Sequence, residues 1–400
     1  MSLANGRPYL AIPGPSVVPD RVLAAMHRPS PNIYGDDIHD MARSIFKDLL
    51  RIAGSTAHVA IYVTNGHGTW EAAIANLFSR GDKALLAVTG HFGRGWAEWA
   101  RRMGVDVETV EFGGGAAIDA TRIEEVLAAD RSHRIRAVMM THVDTASTVR
   151  NDIKAVRAAI DAARHPALLA VDAIASLGCE EILFDEWGID VLIAASQKGL
   201  MLPPGLGFVW VSDKALETSR NAGLCTPYWD WKPRVLDDQF YRYFAGTAPT
   251  HHLFGLREAL TMILDEEGLA SVWRRHRVLA GAIWAAFETW GRGGDIALSV
   301  ADRASRAHSV TGARIGAGGA ARLRQWLEST AGVTLGIGLG MAQPGEPTYD
   351  DFLRVAHMGH VNAHMTLGAL AAMEAGMRAL AIPHGSGALD AAAAALVAEA

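Results

Sequence analysis

Leu192-Ile193-Ala194-Ala195-Ser196-Gln197-Lys198-Gly199-Leu200-Met201-Leu202-Pro203-Pro204-Gly205 begins apolar and β-compatible, then closes on a lysine followed by Gly, Pro and Gly. An apolar run ended by breakers reads as a buried strand that hands over to a shaped loop. The lysine at that exit is out of place, because lysine is almost never fully buried without a partner. Two readings compete. One is a solvated lysine at a strand end. The other is an amine kept partly desolvated for carbonyl chemistry, a Schiff-base lysine.

Upstream of this stretch the chain alternates. Its pattern predicts helix 37–53, strand 58–63, helix 67–79, strand 83–88, helix 92–103 and strand 106–111. Helix 119–129, strand 135–141, helix 151–163 and strand 167–171 follow, then strands near 190–195 and 206–211. Strands alternating with helices of this length predict an α/β domain with a largely parallel sheet. Ligands of such sheets bind in the loops at the carboxyl ends of the strands. Lys198 stands at one such end, and so do Asn65-Gly66-His67 and Asp172.

Residues 8–35, with Ile12-Pro13-Gly14-Pro15, predict an irregular arm with one short helix near 19–27. The pattern loosens over 213–250, then helices are expected over 252–266 and 270–290. The last third predicts strands near 297–300, 307–311 and 333–337, helices near 319–329 and 360–379, and a C-terminal helix from Ala388. The expected organisation is an arm (1–20), a large domain (21–265) and a smaller α+β domain (266–400).

Three strand ends carry chemistry. Gly66-His67-Gly68 opens a helix, and a helix start with glycines offers free N–H groups to a phosphate; an ordinary glycine-rich turn reads the same way. Asp172 ends the apolar run Leu168-Leu169-Ala170-Val171. A buried carboxylate needs a charged or hydrogen-bonded partner, and a pyridinium nitrogen is one; a helix cap, a metal or a ribose would also use it. A phosphate seat, a carboxylate for a ring nitrogen and an amine for an aldehyde are together what pyridoxal 5'-phosphate needs.

Ser196-Gln197-Lys198-Gly199-Leu200-Met201-Leu202-Pro203, with His165-Pro166-Ala167-Leu168-Leu169-Ala170-Val171-Asp172 upstream, resembles the class V aminotransferases, nearest to the serine–glyoxylate and alanine–glyoxylate group. The resemblance runs from Pro13-Gly14-Pro15 to His357-Met358-Gly359 and Gly385-Ser386-Gly387, with Gly255-Leu256-Arg257-Glu258-Ala259-Leu260 a further specific match. It implies fold type I: a mainly parallel seven-stranded sheet in a large cofactor-binding domain, plus a smaller α+β C-terminal domain. It implies that Lys198 binds the cofactor aldehyde and moves the proton, and that Asp172 pairs with the ring nitrogen. Gly66 and His67, helped by Gln197, would hold the phosphate. Phe92 would stack on one ring face and Ile174 on the other. Thr145 would lie by the ring hydroxyl, and Arg354 would clamp the substrate carboxylate. Thr247 would reach the phosphate of the other subunit of a homodimer. The expected reaction is ping-pong transfer of an amino group from serine or alanine to glyoxylate or pyruvate, with aspartate, ureidoglycine or pyridoxamine as other donors.

The chain departs from the family at three places. Asn32-Ile33-Tyr34-Gly35-Asp36-Asp37 lacks the arginine or other polar pattern often found there. Phe244 and Gly246 offer no hydroxyl where some members have a tyrosine. Val143-Asp144 and Ser147-Thr148 replace the more usual Asn-Glu and Thr-Gly. All three bear on the amino donor more than on the cofactor.

Other classes fit less well. A net charge of −6 without a Lys/Arg run argues against nucleic acid. No apolar stretch nears the roughly 18 residues that span a bilayer, and residues 1–15 lack a signal pattern. Two cysteines, Cys179 and Cys225, suit a reducing cytoplasm. His357, His360 and His364 are spaced for a metal, but no carboxylate or cysteine joins them, so no metal is expected. Gly336-Ile337-Gly338-Leu339-Gly340 falls short of a dinucleotide fingerprint. A fold type I lyase or a desulfurase is the other enzyme class within this fold; a desulfurase needs a reactive cysteine on a mobile loop, and neither cysteine has that place. A non-catalytic cofactor-binding scaffold would predict loss of Lys198 or Arg354, and both are present.

Overall fold

The computed structural model describes residues 2–237 and 239–399. In chain order its strands are β1 (Tyr9–Ala11), β2 (His58–Thr64), β3 (Lys83–Val88), β4 (Asp106–Glu111), β5 (Ile135–Thr141), β6 (Val143–Asp144) and β7 (Val149–Arg150). Then come β8 (Leu168–Asp172), β9 (Val191–Ala195), β10 (Gly205–Val211), β11 (Ile296–Leu298), β12 (Val310–Ile315), β13 (Val333–Ile337) and β14 (Phe352–Ala356). The first helices are α1 (Asp20–Met26), α2 (Asp36–Ile52), α3 (Gly66–Leu77), α4 (His91–Met103), α5 (Ala120–Ala129) and α6 (Ile153–Ala162). Short helices α7 (Asp213–Thr218), α8 (Lys232–Leu236) and α9 (Phe240–Tyr243) fill the loosely patterned stretch. The long ones follow: α10 (Thr250–Leu260), α11 (Leu269–Trp290), α12 (Gly319–Trp326), α13 (Ala363–Ala379) and α14 (Ala388–Glu399).

Seven strands form one sheet in the order β2-β10-β9-β8-β5-β3-β4. From β9 to β4 every pair is parallel, and β10 runs antiparallel to both β9 and β2. The reversal has a simple cause: only residues 196–204 separate β9 from β10, too few for the crossover that a parallel neighbour needs. Every residue of β8 and β9 is buried, which is why both read as unbroken apolar runs. Their side chains alternate between two cores. Leu169, Val171, Leu192 and Ala194 face one, and Leu168, Ala170, Val191 and Ile193 face the other, where Trp70 and Trp96 pack. Asp172 continues the second set, and so points toward Trp70.

The second sheet has the order β1-β13-β14-β12-β11 and lies in the last third of the chain, apart from its first strand. That strand comes from the arm: Tyr9–Ala11 pairs in parallel with Val333, Thr334 and Leu335. The arm was expected to be irregular, and three residues are too few to show a period of two. β14 was not expected as a strand either. It sits between β12 and β13 and carries a buried arginine, Arg354, that breaks its apolar run.

Two helices end in wider turns, π-helical over Thr261–Glu267 and Leu327–Ala331. Helix 360–379 begins only at Ala363, because Asn362 caps it by accepting from Met365 N, and His360 therefore lies outside the helix. Among the described residues no helix is long and apolar enough to cross a membrane.

Candidate active site

Ser196 closes the loop that carries Lys198. Its hydroxyl donates to Pro203 O at 2.8 Å and accepts from Leu206 N at 3.2 Å. The arm then crosses this loop. Ser16 N donates to Gln197 O at 2.9 Å, Ser16 Oγ donates to Lys198 O at 2.7 Å, and Lys198 Nζ donates to Pro13 O. Gly14 makes so close a crossing possible: its φ is +116°, and a Cβ there would lie 2.5 Å from Lys198 Nζ. Burial pushes the Lys198 amine down to about 8, the charge of Arg354 adds to this, and Asp172 opposes it. That is a desolvated amine held in place, not a solvated strand end.

Asp172 ends β8 with both oxygens engaged. Trp70 Nε1–H donates to Oδ2 at 2.8 Å and Ile174 N–H donates to Oδ1 at 2.8 Å. Burial pushes its carboxyl up to about 7, against the pull of those two donors and of the Lys198 charge. A carboxylate accepts more than two hydrogen bonds, so Asp172 retains capacity for a cationic N–H.

The next turn of the site is the start of α3. Asn65 caps the helix, its side chain accepting from His67 N at 3.0 Å. A Cβ on Gly66 would lie 2.5 Å from Ile174 Cδ1, and one on Gly68 would overlap the Thr64 hydroxyl. Glycine thus lets Ile174 and the helix start close on one another. The His67 ring lies 4.6 Å from the Trp70 ring and 5.1 Å from that of Trp99. Burial lowers the pKa of His67, with the His91 and Lys198 charges adding to the effect.

Phe92 is held from a distance. The N-cap of α4 is Gly90, which has no side chain to give. Asp144 supplies one instead, accepting from Phe92 N at 2.8 Å and from Gly93 N at 3.0 Å. Thr145 is buried, and its carbonyl accepts from Arg354 Nη1 at 2.8 Å. Arg354 Nε–H donates to Ile337 O at 2.7 Å. Burial brings the Arg354 guanidinium down to about 10, while the Asp144 charge works the other way.

Lys198, Asp172, Gly66, His67, Ile174, Gln197, Phe92, Thr145 and Arg354 are thus linked through strand ends, the α3 and α4 starts and β14. Thr247 is exposed on the turn after α9 and takes no part in these contacts. Reasoning from sequence missed Trp70, Asp144, Pro13 and Ser16 as site residues. His357 has both ring nitrogens engaged, with Thr311 Oγ1 at 3.0 Å and His308 O at 2.8 Å, so its environment is that of a core histidine. Two cavities, of about 630 and 930 Å³, lie elsewhere, under α13 and beside α11, and Lys198 lines neither.

These residues suit pyridoxal phosphate. Asp172 is a buried carboxylate with room for a protonated ring nitrogen, and Lys198 is a partly neutral amine. The glycine-opened helix start can seat a phosphate. The Gln197 Oε1 is buried and has no partner among the described residues, so its amide is available to a polar ligand.

The sequence model of the family Aminotransferase class-V matches residues 9–355. The serine–glyoxylate aminotransferase of Methylorubrum extorquens is 39% identical over 376 residues, covering 92% of this chain and 90% of that protein. The L-aspartate–glyoxylate aminotransferase of Paracoccus denitrificans is 36% identical over 378 residues, covering 93% and 91%. Among solved structures, the ureidoglycine–glyoxylate aminotransferase of Bacillus subtilis superposes with a TM-score of 0.87 at 25% identity over 99% of each chain.

Proposed function

Because the chain belongs to the class-V aminotransferases, fold type I enzymes that depend on pyridoxal 5'-phosphate, we propose that Lys198 is its catalytic amine and that it moves an amino group from serine or alanine to glyoxylate or pyruvate. The observation that carries the reading is the depressed Lys198 amine held at a strand end near a buried, cation-seeking Asp172. Pyridoxal phosphate, when bound, supplies the aldehyde that links to amines and the ring that takes up electrons released at Cα.

The chain's own residues do the rest. Gly66, His67 and Gln197 would hold the phosphate, and Phe92 and Ile174 would flank the ring. Asp172, kept anionic by a cationic partner, would hold the proton of the ring nitrogen. Thr145 would serve the ring hydroxyl. Arg354 binds the substrate carboxylate: two backbone carbonyls, of Ile337 and Thr145, already fix its plane, which leaves the Nη2 side of the fork to grip the anion. Lys198 Nζ, with a pKa of about 8, is a base matched to neutral pH. It takes the Cα proton from the donor and returns one to Cα of the acceptor in the reverse half-reaction. One site serves both halves, so the kinetics are ping-pong.

We further read 21–265 and 266–400 as the two domains, and the active unit as a cytoplasmic homodimer in which the partner subunit's Thr247 reaches the phosphate. The names of the relatives support aspartate or ureidoglycine as alternative donors; pyridoxamine is a further alternative. A desulfurase is disfavoured, because Cys179 is buried and its thiol is pushed up to about 12 by that burial.

The test is spectroscopic. Cofactor added to the protein should give a new near-visible absorbance, and serine or alanine should bleach it. A protein whose absorbance no amino acid changes would refute the transaminase reading. In the same assay Arg354→Ala should raise KM for both amino acid and oxo acid by roughly 100-fold and spare cofactor binding; an unchanged KM for either removes Arg354 from the carboxylate role. Gly14→Ala should lower kcat by about tenfold or more, since its Cβ would displace the Lys198 amine. Unchanged kcat in that variant would mean that the arm gives way without moving the amine.

A further inference from the structure

Asp144 is fully buried, and four backbone N–H groups from two directions converge on its carboxylate. Oδ2 accepts from Phe92 and Gly93 at the start of α4. Oδ1 accepts from Ala146 at 2.9 Å and from Ser147 at 3.4 Å, closing the turn between β6 and β7. That turn includes Thr145, whose carbonyl holds Arg354, and Thr148, whose Oγ1 accepts from Gly312 N at 3.2 Å on β12. One carboxylate therefore fixes both the backbone of Phe92 and the carbonyl that orients Arg354. Gly90 belongs to the same device, because a Cβ at that position would run into the Asp144 carboxylate. The Asp144 charge also helps to keep Arg354 cationic.

We propose that Asp144 is a positioning residue that sets the aromatic ring of Phe92 and the guanidinium of Arg354 in mutual register, so that cofactor ring and substrate carboxylate are held at a fixed offset. Asp144 touches neither. It acts through the α4 start on one side and the Thr145 carbonyl on the other. The proposal rests on Arg354 being the carboxylate clamp.

Asp144→Asn keeps the size but turns an amide N–H toward backbone donors and removes the charge. With the cofactor-loaded protein, it should raise KM for the amino donor and for the oxo acid by about tenfold each, the loss expected for a charged hydrogen bond. The change in kcat should stay within about threefold. Gly90→Ala retains the charge and displaces it, so it should give the same KM pattern, and it carries the test by itself if Asp144→Asn is insoluble. In the Arg354→Ala background Asp144→Asn should add no further rise in KM, because a coupled pair is not additive. Unchanged KM, or a fall in melting temperature or kcat without a rise in KM, would overturn the proposal, as would a full additive rise in the double variant. If Arg354→Ala itself leaves KM unchanged, it is the clamp assignment that fails, and that outcome is read directly from the single variant.

Discussion

Lys198→Ala should reduce transamination by at least about 10⁴-fold, the upper range for loss of a positioned acid–base group, with the covalent link lost as well. The cofactor's near-visible absorbance should shift toward that of the free compound, and added amino acids should change it slowly if at all. Stability should move the other way. The folded-state pKa of Lys198 is depressed from 10.5 to about 8, so the stability tied to it is present above the unfolded value and is lost as pH falls through the folded one. At pH 7 the cofactor-free protein therefore bears the cost of a buried ammonium that alanine lacks. Denaturation of the two proteins at pH 7 should favour the variant, and the gap should close above about pH 10.5, beyond both titrations. A variant less stable at pH 7 would contradict this account of the amine.

Asp172→Asn should cost about 10³-fold in turnover, because an amide cannot keep the ring nitrogen protonated as an electron sink. Its pH signature follows from the sign of the shift. The carboxyl is raised from 3.8 to about 7, so in the cofactor-stripped protein its contribution to stability is full below about pH 4 and is lost as pH rises through 7. The size is about 4 kcal/mol at most, at 1.36 kcal/mol per unit. Asp172→Asn should flatten stability across that window, as read from denaturant midpoints at a series of pH values. Restoring the cofactor to the parent protein should flatten it too, because a cationic ring nitrogen returns the carboxylate's partner. A parent protein with no loss of stability between pH 4 and 7 would show that Asp172 is ionised without help.

Much of the large sheet was legible because its inner strands are buried on both faces. Lys83–Val88 and Ile135–Thr141 have the ends that their apolar runs predict, and the edge strand Asp106–Glu111, partly exposed and mixing apolar with charged or polar residues, has its predicted ends too. Val333–Ile337 does as well. Arg354 was found by resemblance while its strand was not, since a buried arginine in mid-strand looks like a break. The two-residue strands Val143–Asp144 and Val149–Arg150 are too short to carry any period. Trp70 and Asp144 were passed over for a different reason. Trp70 meets Asp172 across 102 positions, and Asp144 meets Phe92 across 52. Sequence spacing is informative within one helix or strand, and it says nothing of which loops the fold brings together.

The arm is fastened at two places at once. Ala11 is paired in the second sheet, and Ser16 is bonded to the loop that carries Lys198. Five chain steps separate them, so their Cα atoms can never be more than about 17 Å apart while both attachments hold. That tether sets a ceiling on how far the lysine loop and the second sheet can separate. A wider separation requires the chain to let go of either Val333–Leu335 or the lysine loop, and lengthening the stretch 12–15 by inserted residues would remove the ceiling without touching a single group that meets the substrate.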